Sequence, residues 1–114
     1  MSTQAGTLPG IEQAQEYLGF TLKEVAQAVR ADESTLHRWR SGVTPTPVFL
    51  ARLEALDDLV REMRATFRTD AQGRTWLERP IAKLNGQRPL DLILEGRAEV
   101  ITGMLYALNS GMSL

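Results

Sequence analysis

The stretch TLKEVAQAVRADESTLHRWRSG, Thr21 to Gly42, decides how this chain is read. It opens on Thr21-Leu-Lys-Glu24, a capping box in which the threonine hydroxyl accepts from the Glu24 amide and the glutamate side chain returns to the Thr21 amide. Leu22, Val25, Ala26 and Val29 then fall on one face at helical spacing. Asp32 is a suitable N-cap for a second helix, on which Leu36 and Trp39 point inward. Ser41-Gly42 ends that helix, since glycine takes a left-handed conformation freely. The small Ala26 lets the two helices pack closely. Two short helices joined by a tight turn are the layout of a helix-turn-helix, whose second helix lies in the DNA major groove.

That layout leaves Glu33, Ser34, His37, Arg38 and Ser41 facing outward on the second helix, with Asp32 at its start. Arg38 is the best base reader, because its fork donates two hydrogen bonds to guanine. Ser34 and His37 are placed for a base edge or a phosphate, Thr35 and Arg40 for backbone phosphates, and Ser41 completes the expected DNA-binding set. His37 is the only histidine of a chain without cysteine, so it has no companion for a metal site or a catalytic base and is expected to be a surface residue of the recognition helix.

Helical spacing continues on both sides. Ile11, Ala14, Tyr17 and Leu18 mark a short amphipathic helix ending at Gly19. Residues 1–10 carry no apolar run. They are read as neither signal peptide nor membrane span, and are expected to form a flexible arm. Thr44-Pro-Thr-Pro47 breaks the chain and starts a long central helix capped by Thr46. It runs to about Phe67, with Phe49, Leu53, Leu56, Leu59 or Val60, Met63 and Phe67 on its apolar side. A helix from Asp70 to Glu78 carries Trp76 and Leu77 and stops at Pro80. Ile81 to Leu84 is an apolar turn, and Asn85-Gly86 is a turn signal. Pro89 opens a compact helix, Leu90 to Leu94, ended by Gly96. The last helix spans Arg97 to Asn109, with Val100, Ile101, Met104, Leu105 and Leu108 inward. No segment alternates with a period of two, so the fold is expected to be all-α.

The bulk properties narrow the function. At 114 residues the chain allows one compact domain, or two small helical lobes sharing a core. Its hydrophobic content of 43% is that of a globular protein. The absence of cysteine removes a disulfide framework and thiolate metal sites and suits a cytoplasmic protein. No long unbroken apolar stretch points to a membrane. The net charge is −1, and up to Gly42 there are four bases against five acids. Any DNA binding must therefore come from local placement of arginine, doubled in a homodimer, rather than from a general positive field. Glu54, Asp57, Asp58 and Glu62 are the only material for acid–base chemistry. At helical spacing they read as a solvated face, with Asp57 and Arg61 as a weak ion pair. With no glycine-rich phosphate loop, nucleophile elbow or metal cluster, the chain is expected to be no enzyme and to need no cofactor.

The run Ser34-Thr35-Leu36-His37-Arg38-Trp39-Arg40-Ser41-Gly42 resembles the second helix of the Xre (Cro/repressor-like) helix-turn-helix domains. It departs at the turn, where Arg30-Ala31 stands in place of the family's usual glycine and aliphatic residue. Arginine tolerates a left-handed turn less well than glycine. The C-terminal half is similar to the toxin-binding domain of Xre/MbcA/ParS antitoxins. Trp76-Leu77 precedes a block of Gly86, Pro89, Leu90, Leu92, Ile93 and Gly96, with Ile93 in place of the family's second leucine, and the last helix stops at a glycine shortly before the chain ends.

The resemblance implies an antitoxin of a type II toxin–antitoxin system, whose partner is a RES-domain toxin that consumes NAD and whose helix-turn-helix binds operator DNA to regulate its own operon. It implies occlusion of the toxin's active site by Asn109, Ser110, Gly111, Met112, Ser113 and Leu114. The expected organisation is a flexible arm at 1–10, a helix-turn-helix domain with the central helix at 11–68, and a small helical toxin-binding lobe at 69–114. The alternative is a stand-alone helix-turn-helix repressor whose C-terminal lobe only dimerises.

Overall fold

The longest helix, α4 (Pro47–Thr66), is the element against which the rest of the chain assembles. In the computed structural model, which describes residues 8–111, α1 (Ile11–Leu18) packs on one part of it and α7 (Ala98–Asn109) on another. Between them lie α2 (Leu22–Val29), α3 (Glu33–Arg40), α5 (Asp70–Leu77) and α6 (Pro89–Leu94), with a 3-10 turn at Ala82–Leu84. The described residues form seven α-helices and no strand, as the missing two-residue alternation requires. Among them no helix is long and apolar enough to cross a membrane.

Leu53, Leu56, Leu59, Val60 and Met63 of α4 are buried, so both Leu59 and Val60 serve the apolar side. They join Tyr17 from α1, Val25 and Val29 from α2, Leu36 and Trp39 from α3, Ile93 from α6, and Ile101 and Leu105 from α7 in a single core. The N-terminal and C-terminal stretches therefore bury the same apolar surface, and α1 also touches α5 directly.

Local chemistry sets the boundaries. The Glu24 amide donates to Thr21 Oγ1 at 3.1 Å and the Thr21 amide to Glu24 Oε1 at 2.9 Å, closing both halves of the capping box. Thr69 caps α5 in the same manner, accepting from the Gln72 amide at 3.1 Å. Two other caps differ from expectation. Asp32 and Thr46 occupy the N-cap positions of α3 and α4 with extended backbone, but neither side chain bonds the helix end. At Asp32 the backbone carbonyl accepts from the Thr35 amide at 3.0 Å, and the carboxylate is left to solvent.

Two further differences concern burial. Leu8 packs against the core and Gly10 is buried beside Leu53, so ordered packing begins before Ile11; residues 1–7 of the expected arm lie outside the described residues. Leu108, expected inward, is 44% exposed: the next residue, Asn109, is the one that meets α4, while Leu108 faces the open groove it shares with Trp76, Ile81 and Met104.

Candidate functional site

The outward side of α3 is assembled as its spacing predicts. Ser34, His37, Arg38 and Ser41 lie at i, i+3, i+4 and i+7 and all are exposed, while Leu36 and Trp39 hold the opposite side in the core. Trp39 is fixed by Phe49, the ring centroids 5.4 Å apart. Arg52 stacks over Phe49 at 5.2 Å and donates to the Val29 carbonyl at 3.2 Å, tying the end of α2 to α4. The pair α2–α3 is thus clamped from behind, with its polar side outward.

On that side the groups already have partners. Arg38 Nη2 donates to Thr35 Oγ1 at 3.0 Å, which folds the guanidinium back along the helix. The Ser41 hydroxyl donates to the Arg38 carbonyl at 2.9 Å and so satisfies the helix end. His37 Nε2 stands 4.0 Å from Glu33 Oε2, with both side chains about half exposed or more. Arg40 is exposed and Thr35 half-buried. All six residues expected at DNA therefore lie on α3 or at its end, with Asp32 and Glu33 as acidic neighbours.

Arg30 does something the sequence reading missed. It adopts the left-handed conformation, φ 61, that the turn requires. Its side chain then runs to the C-terminal lobe, where Nε and Nη2 donate to the Glu95 carbonyl at 3.3 and 3.1 Å. The only local signal was its presence where glycine is easier; the partner is 65 residues away.

In the C-terminal lobe Asn85 and Gly86 both take positive φ, and the loop closes through Ile81 N–H to the Gln87 carbonyl and Gly86 N–H to the Ile81 carbonyl, each at 3.0 Å. Arg88 then knits the lobe. Its guanidinium reaches Glu78 and Asp91, each at 2.7 Å, and its amide donates to Asp91 Oδ2 at 3.0 Å. These bonds hold the Asp91 carboxyl below its ordinary pKa, the side-chain bond from Arg88 being the largest cause. Buried Pro89, Leu92 and Ile93 seat α6 beneath α7.

The residues expected at the toxin separate into three cases. Asn109 is already engaged: its Nδ2 donates to Thr66 Oγ1 at 2.8 Å and to Glu62 Oε1 at 3.1 Å, pinning the end of α7 to α4. Ser110 and Gly111 are exposed. Met112, Ser113 and Leu114 lie outside the described residues. Glu62 is thereby removed from the carboxylate cluster, and Arg61 pairs with Asp57 at 3.6 Å and Asp58 at 2.7 Å, so the cluster is a surface ion-pair network.

Residues 55–111, half of the chain, match the family model described as the antitoxin Xre/MbcA/ParS C-terminal toxin-binding domain. The chain is 28% identical over 109 residues to the mycobacterial cidal antitoxin MbcA of Mycobacterium bovis and of Mycobacterium tuberculosis, covering 95% of this chain and 93% of theirs. It also shares its fold with a chain in the crystal structure of the M. tuberculosis MbcT–MbcA toxin–antitoxin complex, with a TM-score of 0.66 at 23% identity over the full length of both. The turn at Asn85-Gly86, the proline-started α6, the stop at Gly96 and the pinned α7 all fall inside the matched segment, and the chain belongs to the Xre/MbcA/ParS family of antitoxins.

Proposed function

We propose that this antitoxin neutralises a RES-domain, NAD-consuming toxin through its C-terminal lobe, and that as a homodimer in the cytoplasm it represses its own operon through α3. As an antitoxin it is a binding protein and not an enzyme. The observation that carries the toxin reading is the end of α7. Asn109 fixes the last turn against Glu62 and Thr66, and Ser110 and Gly111 follow this pinned helix end exposed. A short segment rooted on a rigid helix enters a nucleotide cleft with less ordering penalty than one rooted on a loop. The related MbcA is named in a toxin–antitoxin complex with MbcT, which supports a toxin as the partner.

The repressor half of the reading is supported by the outward row Ser34, His37, Arg38 and Ser41. A single copy of α3 presents only Arg38 and Arg40 as strong cations beside two acids, so two copies on a palindromic operator are the natural binding unit. Co-expression with a RES-domain toxin tests the first half. Co-purification and loss of NAD consumption are expected, whereas a toxin that keeps its activity in the presence of excess antitoxin overturns the reading. Gel shifts on the upstream DNA test the second half.

A further inference from the structure

The apolar side of α7 continues beyond the core. Met104 and the exposed Leu108 form one wall of a groove of ≈ 450 Å³, and Trp76 and Ile81 form the other. Trp76 is only half-buried, held by Phe67 at 5.5 Å between ring centroids. Arg79 and Lys83 stand on the rim of this groove. Both are exposed, and among the described residues neither forms an ion pair, although their neighbours Glu78, Arg88 and Asp91 are fully engaged with one another. An exposed carbon floor flanked by unneutralised cations is the character of a partner surface rather than of solvated exterior. The groove lies at the last turn of α7, immediately before Asn109 to Gly111.

We propose that this groove is a second attachment point for the toxin, seating a surface segment that offers an apolar side chain to Trp76 and Leu108 and carboxylates to Arg79 and Lys83. The proposal rests on the toxin-binding reading and adds to it a site that the chain end does not supply. The chemistry favours an acidic peptide over a nucleic acid, because a phosphate backbone would lay charge on a floor made of Trp76, Ile81, Met104 and Leu108. Asn109 locks the last turn of α7 to α4, so the groove and the root of the chain end are held in one relation. Once the groove is filled, entry of the chain end into the toxin becomes intramolecular and gains an effective concentration that neither contact has alone.

The test uses the full chain, a RES-domain protein as the toxin, and two variants: the double charge reversal Arg79→Glu/Lys83→Glu, and Leu108→Asp. All three altered positions are exposed, so the melting temperature of each variant should match wild type. The charge reversal should weaken binding by about tenfold or more at low salt. The deficit should narrow at about 0.5 M salt, where exposed charges are screened. Leu108→Asp should weaken binding at both salt concentrations. If the wild-type chain does not bind the RES-domain protein, the toxin reading fails and takes the groove with it. If wild type binds and both variants bind equally well, the groove proposal alone is overturned. It is also overturned if the variants alter the sedimentation of the free chain while toxin affinity is unchanged, because the groove would then belong to a second copy of this chain.

Discussion

The Arg30 side chain lies across Gly96. A Cβ on Gly96 would stand 2.5 Å from Arg30 Nε and 3.1 Å from its Cγ, and the backbone there is left-handed, φ 84. Arg30 is itself left-handed, and its guanidinium holds the Glu95 carbonyl through two donors. Each residue therefore accounts for the other. The turn between α2 and α3 tolerates arginine because the side chain has a distant anchor, and the stop after α6 favours glycine both for its left-handed backbone and because that side chain covers it.

Gly96→Ala should destabilise by roughly 1–3 kcal/mol, combining backbone strain with the clash. Arg30→Gly relieves one left-handed residue while losing the bonds to Glu95, and should change stability by less than about 1 kcal/mol. In the Arg30→Gly background, Gly96→Ala should cost about 1 kcal/mol less than in wild type, since only the strain remains. A double-mutant cycle by urea denaturation measures this, and additive costs would show that Arg30 does not fill the space above Gly96.

Tyr17 is fully buried and, among the described residues, its hydroxyl has no hydrogen-bond partner. That oxygen faces Gly73 of α5, where any Cβ would collide with it. Burial raises the Tyr17 pKa above its ordinary value, with Asp70 adding to the effect, so the phenol stays neutral. Tyr17→Phe should be neutral or stabilising by up to about 1 kcal/mol, because it removes a desolvated group that forms no bond. Gly73→Ala should destabilise despite alanine's better helix propensity, and should be tolerated better in the Tyr17→Phe background. Thermal melts of the three variants decide it; a large loss in Tyr17→Phe alone would mean that the hydroxyl has a partner.

What the sequence made legible is what lies within a turn or two of itself. The Thr21–Glu24 box, the stops at Gly19 and Gly96 and the apolar row of α4 are local patterns, and the structure places them where the spacing does. The outward row of α3 was legible for the same reason. Contacts made across the fold were not. Arg30 meets Glu95 65 residues away, and Asn109 meets Glu62 and Thr66 at separations of 47 and 43. Leu108 shows the limit of periodicity: the pattern marks an apolar side of α7, but the elements packed around it decide how much is covered, and Leu108 faces an open groove beside Trp76 and Ile81. Asp32 shows another, since residue type permits a cap that its side chain does not make.

Asp91 gives the chain a defined acid sensitivity. Its carboxyl is held below the ordinary value, chiefly by the side-chain bond from Arg88 and then by the Arg88 amide. A carboxyl depressed in the folded state stabilises the fold fully above its unfolded pKa of about 3.9, and that contribution disappears as pH falls through the lowered folded value. Wild type should therefore lose stability more steeply than Asp91→Asn between about pH 5 and pH 2, while being the more stable of the two near neutrality. Urea midpoints against pH check the slope; parallel curves would mean that the Arg88–Asp91 bond does not survive in solution.

The reading of α3 as a DNA-recognition helix places its weight on Arg38. Arg38→Ala should weaken operator binding by about 1–3 kcal/mol and relax preference at one base position. Thr35→Val removes the acceptor that folds the guanidinium back at 3.0 Å, and should alter affinity less than Arg38→Ala at every operator position. Trp39→Ala should instead destabilise by about 3–5 kcal/mol through a cavity beside Phe49, and abolish DNA binding only by unfolding. Gel shifts with single-base operator variants separate these cases, and an unchanged Arg38→Ala affinity would remove it as a reader.

The end of α7 separates position from contact. Deleting residues 111–114 should leave the melting temperature unchanged and abolish neutralisation, if those residues enter the toxin. Asn109→Ala leaves them present but frees their root, losing two bonds to α4 at a cost of about 1 kcal/mol each. It should therefore weaken neutralisation partially. Asn109→Asp should be worse than Asn109→Ala, because the new carboxylate would face Glu62 where an amide now donates to it, and like charges drive the last turn off α4. Rescue of cells from the toxin should thus fall in the order wild type, Asn109→Ala, Asn109→Asp, truncation. Full rescue by the truncated chain would move occlusion from the chain end to the body of the lobe, whereas equal rescue by the two Asn109 variants would show that Glu62 does not hold the root.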